Sequence, residues 1–162
     1  MPDGRSGFVR RLTSQLATLR RLSWADRSLL LQAGLIVGVV RLALKVISFR
    51  RVAALLKLAS RTDLPVQADR STTAARVLNV ARLVNMSSRH VPLASTCLHR
   101  SLTLWWLLNR RGFDGRLQFG TRRRNGAFEA HAWVEHDGIV VGEDPDEHDF
   151  VRIPWEPLKN DS

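Results

Sequence analysis

The sequence predicts an α+β fold in which a helical N-terminal half precedes a small antiparallel sheet. Apolar residues recur at helical spacing up to about residue 111, whereas beyond Gly112 they alternate with a period of two. The pair Asp137-Gly138 lies between two alternating stretches and is a strong hairpin turn signal. A run of helices followed by a run of strands joined by short turns is an α+β arrangement.

The N-terminal segment is basic and amphipathic. Residues 1–7 have the composition of a flexible tail, and residues 8–22 place apolar side chains at helical spacing among four arginines, Arg10, Arg11, Arg20 and Arg21. A basic amphipathic helix of this kind fits a membrane surface or a partner, and a plain surface helix fits it equally well.

The next segment, residues 28–46, is almost continuously apolar and predicts a buried helix. Arg41 and Lys45 leave its uninterrupted part shorter than the roughly 20 apolar residues that a membrane span needs. We therefore expect a helix that faces the core or a partner, with membrane association as the alternative. An apolar surface of this size requires a cover.

Two further helices are predicted between this segment and the cysteine. The first covers residues 50–58 and stops before Pro65, since proline disfavours helix at the residue before it. The second opens near Ser71 and ends near Ser87, with apolar residues at helical spacing. Residues 8–90 are therefore assigned to a helical N-terminal region and residues 91–162 to a second unit.

The most apolar helix runs from about Cys97 to Arg111. Ser95 and Thr96 are its N-cap candidates, and Gly112 is its C-terminal stop. Leucine and tryptophan surround it on nearly every side, so we expect it to be the central packing element.

Three strands are predicted after this helix, over residues 117–121, 128–135 and 139–141. The residues between the first two strands, 122–126, include three consecutive arginines and are interpreted as a basic loop.

The sequence places a cysteine, a histidine and two acids in an order typical of acyl transfer. Cys97 is the only cysteine, and the start of a helix lowers a thiol pKa because free N–H groups stabilise the thiolate. His131 lies in a strand between two alanines that permit close approach, and Glu143 and Asp144 follow the hairpin. Either acid could orient the imidazole, and Glu129 and Glu135, on the His131 face of the strand, are further candidates. The alternatives are an acyltransferase, in which an amine replaces water, and a non-catalytic scaffold, in which the cysteine is buried and only packs.

Composition limits the remaining possibilities. A single cysteine excludes an internal disulfide, and the absence of a recognisable signal peptide predicts a cytoplasmic protein. The histidines at 131, 136 and 148 lack a compact ligand spacing and no Gly-rich phosphate loop is visible, so we expect no metal and no cofactor. The net charge of +10 favours an acidic partner, but no nucleic-acid-binding module is recognisable.

Three segments closely resemble the lasso-peptide leader peptidases, which are bacterial transglutaminase-like cysteine proteases. They are Cys97-Leu98-His99-Arg100-Ser101-Leu102, Leu107-Leu108-Asn109-Arg110-Arg111-Gly112 and Ala130-His131-Ala132-Trp133-Val134-Glu135 with Gly138. The resemblance covers roughly residues 90 to 150. It implies a papain/transglutaminase-like core in which the cysteine helix packs on the sheet, and an activity that removes the leader from a ribosomally made lasso precursor peptide before macrolactam formation.

The resemblance also implies partners and residue roles. A separate RiPP recognition element protein would deliver the precursor, and a lasso cyclase would act afterwards. Cys97 corresponds to the nucleophile and His131 to the general base and acid. The family usually shows an aspartate where this chain has Glu143, so Asp144 is slightly preferred as the third member because a bulge could restore its reach, and Glu143 is the alternative.

Overall fold

The computed structural model describes residues 22–60, 70–90, 97–143 and 149–154. These ranges contain four helices and one four-stranded antiparallel sheet, so the predicted α+β class is confirmed. The helix expected over residues 8–22 lies outside the described residues except for Leu22, as do the cap candidates Ser95 and Thr96. The elements are α1 (Trp24–Val46), α2 (Phe49–Ala59), α3 (Arg70–His90), α4 (Cys97–Arg110), β1 (Gly115–Arg124), β2 (Ala127–His136), β3 (Ile139–Val141) and β4 (Val151–Ile153).

The first described helix, α1, begins four residues earlier than its apolar pattern predicts. Ser23 is its N-cap, and the Ser23 hydroxyl accepts a hydrogen bond from the backbone N–H of Asp26 at 3.1 Å. The Asp26 carboxylate in turn accepts a bond from the Asn79 side chain of α3 at 2.7 Å. A polar cap thus extends the helix by one turn beyond the apolar segment that identified it.

The two sides of α1 are both apolar, but only one is buried. The buried side packs on α3 and α4 and carries Leu29, Ala33, Val37 and Val40. The opposite side is exposed to solvent and carries Leu31, Leu35, Val39, Leu42 and Val46. By length and composition alone α1 could cross a membrane, with a mean hydropathy of 1.9, and core helices of soluble proteins pass the same test.

The cysteine helix α4 ends as its sequence predicts. Gly112 adopts a left-handed conformation with φ of 79°. The N–H of Phe113 donates to the carbonyl of Leu108 at 3.0 Å, and that of Gly112 donates to Asn109 at 3.0 Å. This pair of bonds is a Schellman motif, in which glycine avoids the strain that a Cβ would cause.

The same helix is the centre of the hydrophobic core. Its completely buried residues include Leu102, Leu107 and Leu108. They contact α1 and α3 on one side and the strands β1 and β2 on the other. The prediction that α4 is the central packing element is confirmed.

The sheet has the strand order β3-β2-β1-β4, with every neighbouring pair antiparallel. Asn125-Gly126 joins β1 to β2 and Asp137-Gly138 joins β2 to β3, and all four residues have positive φ. Paired positive φ values are typical of type I′ hairpin turns. The expected turn at Asp137-Gly138 is confirmed.

Two expectations for this half of the chain were wrong. Residues 122–124 are not a loop, because a two-residue turn suffices to reverse the chain and the three arginines belong to the end of β1. Strand β4 was missed, since three residues are too short to show an alternating pattern.

A glycine in β1 makes room for a large aromatic side chain. Trp133 on β2 is completely buried. A Cβ at Gly120 would lie 2.8 Å from the Trp133 ring and 2.7 Å from the carbonyl oxygen of Val151 in β4. The tryptophan and the β4 backbone therefore both require glycine at this position.

We predict that Gly120→Ala lowers the free energy of unfolding by about 1–3 kcal/mol, because it overpacks the sheet against Trp133. Gly38 in α1 is the matched control, since a Cβ there meets nothing within 4 Å. Gly38→Ala should raise the free energy of unfolding by about 0.5–1 kcal/mol, because alanine has the higher helix propensity. Urea denaturation measures both, and equal effects would contradict the packing argument.

Candidate active site

The first turn of α4 lies directly against strand β2. The hydroxyl of Ser101, one helical turn after Cys97, donates to the backbone carbonyl of Ala132 at 2.6 Å. Ser101 and Ala132 are both buried. The small alanine side chain permits the close approach, and the hydrogen bond holds Cys97 beside the strand that carries His131.

His131 contacts both of its expected partners. Its Nε2 atom lies 2.7 Å from Oε2 of Glu143, and its side chain is hydrogen-bonded to the Cys97 thiol. Because Nε2 is engaged by the carboxylate, Nδ1 is the ring nitrogen left for the sulfur. The imidazole therefore lies between a thiol and an acid, as a nucleophile, base and orienting group require.

The contacts favour an ion pair between the thiol and the imidazole. The hydrogen bond to Cys97, followed by the bond to Glu143, raises the pKa of His131 to about 9. The bond to His131 in turn lowers the pKa of Cys97, against the opposing effect of burial. Backbone groups of Ala132 and Leu98 also lower the thiol pKa. The favoured state is a thiolate beside an imidazolium, and thiolate is the nucleophilic form of cysteine.

The position of Glu143 depends on helix α3. The preceding residue, Gly142, has φ of 83°, and a Cβ there would lie 3.2 Å from the Ala81 side chain. The Asn85 side-chain amide donates to the carbonyl of Gly142 at 2.6 Å. A left-handed glycine held by an α3 amide therefore directs the chain towards His131 immediately after β3.

Arg100 completes the environment of the Glu143 carboxylate. Its guanidinium donates to Oε1 at 2.8 Å, while Oε2 contacts His131. Burial is the largest influence on the pKa of Glu143 and opposes ionisation, but His131 and Arg100 together outweigh it and lower the pKa. With 13% of its side chain exposed, Glu143 is thus a largely buried carboxylate with a cation at each oxygen.

An aromatic cluster covers the imidazole. The Phe150 ring stacks on His131 with a centroid distance of 4.8 Å, and the Trp133 ring lies at 6.2 Å and nearly parallel. Arg122 lies over Phe150 at 4.4 Å and forms ion pairs with Glu129 and Asp149, each at 2.6 Å. The cluster restricts rotation of His131 and excludes water from one of its sides.

The other two acids on the His131 face have partners of their own. Glu129 pairs with Arg122, as described above. Glu135 is buried and accepts bonds from the indole N–H of Trp133 at 2.9 Å and from Arg152 at 2.7 Å. These contacts assign Glu129 and Glu135 to the support of the cluster rather than to the imidazole.

The structure thus brings together Cys97, His131 and Glu143 of the residues that the sequence nominated. Asp144 and His148 lie outside the described residues. Within the described part of the chain, no group of three His, Cys, Asp or Glu side chains is arranged to hold a metal ion.

Sequence reasoning missed two contributors to the site, Arg100 and Phe150. The position of Arg100 three residues after Cys97 was an available signal, since it puts both side chains on neighbouring positions of the first helical turn. Phe150 had no such signal, because it lies in an irregular segment just before β4.

Comparison with known proteins is consistent with this arrangement. A family model described as the transglutaminase-like superfamily matches residues 36–154, which is well over half of the chain. The matched range includes α2 to α4 and the whole sheet, and it contains Cys97, His131 and Glu143. No curated protein and no solved structure matches the chain significantly.

We predict that His131 titrates near pH 9 in the folded protein, where a free imidazole titrates near ~6.5. Cys97→Ser should lower the pKa most and Glu143→Gln less, following the order of the two contributions. Glu129→Gln is the matched control, since this acid shares the face but bonds Arg122. Nuclear magnetic resonance of labelled histidine measures all four, and a wild-type pKa near ~6.5 would disprove the pairing.

Proposed function

Because the chain belongs to the transglutaminase-like superfamily, which includes cysteine proteases and acyltransferases, we propose that it is a cysteine endopeptidase. Its substrate is a lasso precursor peptide, from which it removes the leader before a cyclase forms the macrolactam. The observation that carries the enzymatic part is the contact of one imidazole with both Cys97 and Glu143. The substrate class rests on the resemblance of the motifs around Cys97 and His131 to leader peptidases.

In the first step, the Cys97 thiolate attacks the carbonyl carbon at the junction of leader and core. The carbonyl oxygen becomes an oxyanion, which backbone N–H groups at the start of α4 stabilise. The His131 imidazolium then donates its proton to the leaving nitrogen, and the C–N bond breaks. The core peptide departs with a free amine, and the leader stays bound to sulfur as a thioester.

In the second step, a water molecule hydrolyses the thioester. Neutral His131 takes a proton from this water, which attacks the acyl carbon, and the C–S bond breaks to release the leader as a carboxylic acid. The imidazolium and the thiolate are restored together. Glu143 orients the ring and stabilises its charge in both steps, and its contact with His131 at 2.7 Å supports this role over that of Asp144.

We further propose that a separate RiPP recognition element protein delivers the precursor. The motifs that resemble leader peptidases lie in the second half of the chain, around the residues of the site. The exposed apolar side of α1 offers a surface for such a partner or for the cyclase. Localisation in a bacterial cytoplasm belongs to the same proposal.

An acyltransferase is the second candidate, since the superfamily includes such enzymes. It would use the same thioester but transfer the acyl group to an amine instead of water. The product masses separate the two reactions, because hydrolysis adds the mass of water across the cleaved bond whereas transfer joins two peptides.

We predict that a lasso precursor incubated with this protein and a leader-binding partner is cleaved at one bond. Cys97→Ala and His131→Ala should abolish cleavage, since they remove the nucleophile and the proton carrier. Glu143→Gln should retain measurable activity, because loss of the orienting acid costs about 10- to 100-fold less than loss of the nucleophile. Mass spectrometry of the products measures each.

His136→Ala is the matched control for this experiment, because His136 lies on the same strand but contacts the Asp114 carbonyl. It should cleave like the wild type. Asp144→Asn tests the other candidate acid and should also remain active. Substantial turnover by Cys97→Ala would exclude the mechanism, and a larger loss in Asp144→Asn than in Glu143→Gln would reassign the third role.

A further inference from the structure

A groove lies beside the first turn of α4, outside the contacts of the site itself. It has a volume of about 490 Å³ and is formed by the end of α1, the start of α2 and the start of α4. Its described lining residues are Arg41, Leu44, Lys45, Ile47, Ser48, Phe49, Leu98 and His99. Two of these, Leu98 and His99, belong to the same first turn of α4 as Cys97, which is itself not among the lining residues.

The charge of the groove is positive. Arg41 and Lys45 are one turn apart on α1 and therefore share a side of the helix. The described lining includes no acidic residue. Burial lowers the pKa of His99, and the charge of Arg41 lowers it further, so His99 is neutral at neutral pH and serves as a hydrogen-bond donor or acceptor.

The remaining walls are apolar or carry a hydroxyl. Leu44, Ile47, Phe49 and Leu98 supply the apolar surface, and Phe49 is held in place by an edge-to-face contact with Phe119 at 5.6 Å. Ser48, at the N-cap position of α2, makes no side-chain capping bond. A ligand with a short aliphatic stem and a terminal carboxylate complements this groove, because the stem contacts the apolar residues and the carboxylate pairs with the cations.

We propose that this groove binds an acidic side chain of the peptide substrate, close to the bond that Cys97 attacks. Arg41 and Lys45 hold the carboxylate, while Leu44, Phe49 and Leu98 contact its aliphatic stem. The inference rests on the proposed peptidase function and extends it, since it names a residue class that the substrate must carry at a fixed distance from the cleaved bond. A glutamate or aspartate at that position is preferred over its amide.

The test is cleavage of a mixed library of C-terminally amidated peptides, with the cut sites identified by mass spectrometry. Amidation removes the terminal carboxylate, so any acidic preference must come from a side chain. We expect Glu or Asp to be enriched at one position relative to the cut. Replacing that residue by Gln or Asn should lower kcat/KM about fivefold, as expected for a partly exposed ion pair.

Lys45→Glu should remove the acidic preference and favour Lys or Arg at the same position. Lys57→Glu is the matched control, because Lys57 is an exposed lysine near the end of α2 that is not among the groove residues. It should leave the preference unchanged. Cleavage without any acidic preference would overturn the inference and leave the peptidase intact.

A second measurement needs no turnover and separates failure of the groove from failure of the function. Cys97 is alkylated with iodoacetate, which carries a carboxylate, and with the neutral iodoacetamide. We expect Lys45→Glu to lower the ratio of the iodoacetate rate constant to the iodoacetamide rate constant about threefold relative to the wild type and to Lys57→Glu. Added salt should reduce this difference. If no library peptide is cut, a lowered ratio still supports an anion-binding groove, and an unchanged ratio overturns it.

Discussion

The close contact between the first turn of α4 and strand β2 is the constraint on which the rest of the site depends. The Ser101 hydroxyl bonds the Ala132 carbonyl, and on either side of this bond Cys97 and His131 are neighbours. A large side chain at Ala132 would separate the two elements. The apolar faces of α4 also maintain this contact, because their burial between the other helices and the sheet fixes the position of α4 relative to β2.

The charges of the site form an alternating series. A thiolate at Cys97, an imidazolium at His131, a carboxylate at Glu143 and the guanidinium of Arg100 each lie beside a group of opposite sign. Partly buried charges are costly unless each is paired and hydrogen-bonded, and here the pairing meets that requirement. Removal of one member leaves its neighbours uncompensated, so the effects of single substitutions on the pKa values and on activity are coupled.

The support around this series comes from residues far apart in the chain. Asn85 of α3 holds the carbonyl before Glu143, and Phe150 and Arg122 close the other side of the imidazole. Such contacts restrict the rotamers of His131 and Glu143 without touching a substrate. A site that is held by three separate elements requires the whole fold, and α3 lies within the matched family range.

Much of this organisation was predictable from the sequence. The helix over α4, its glycine stop and the Asp137-Gly138 turn follow from local patterns, and Cys97 and His131 were nominated by residue type and neighbours. The contact of Glu143 with His131 could not be predicted from the sequence, because it depends on the φ of Gly142 and on Asn85. Asn85 lies 57 residues before Gly142 in the chain. Arg122 was assigned to a loop for its charge, whereas its pairing with Glu129 and Asp149 requires the folded sheet.

The central claim is that pairing with His131 lowers the pKa of the Cys97 thiol and stabilises the thiolate. The ultraviolet absorbance of the thiolate, followed against pH as the difference between the wild type and Cys97→Ser, tests it directly because the chain has one cysteine. We expect the absorbance to appear at a pH below the ordinary thiol pKa of ~8.5, and His131→Ala to shift its appearance towards that value. A wild-type thiolate that appears only as the pH rises through ~8.5 would contradict the claim.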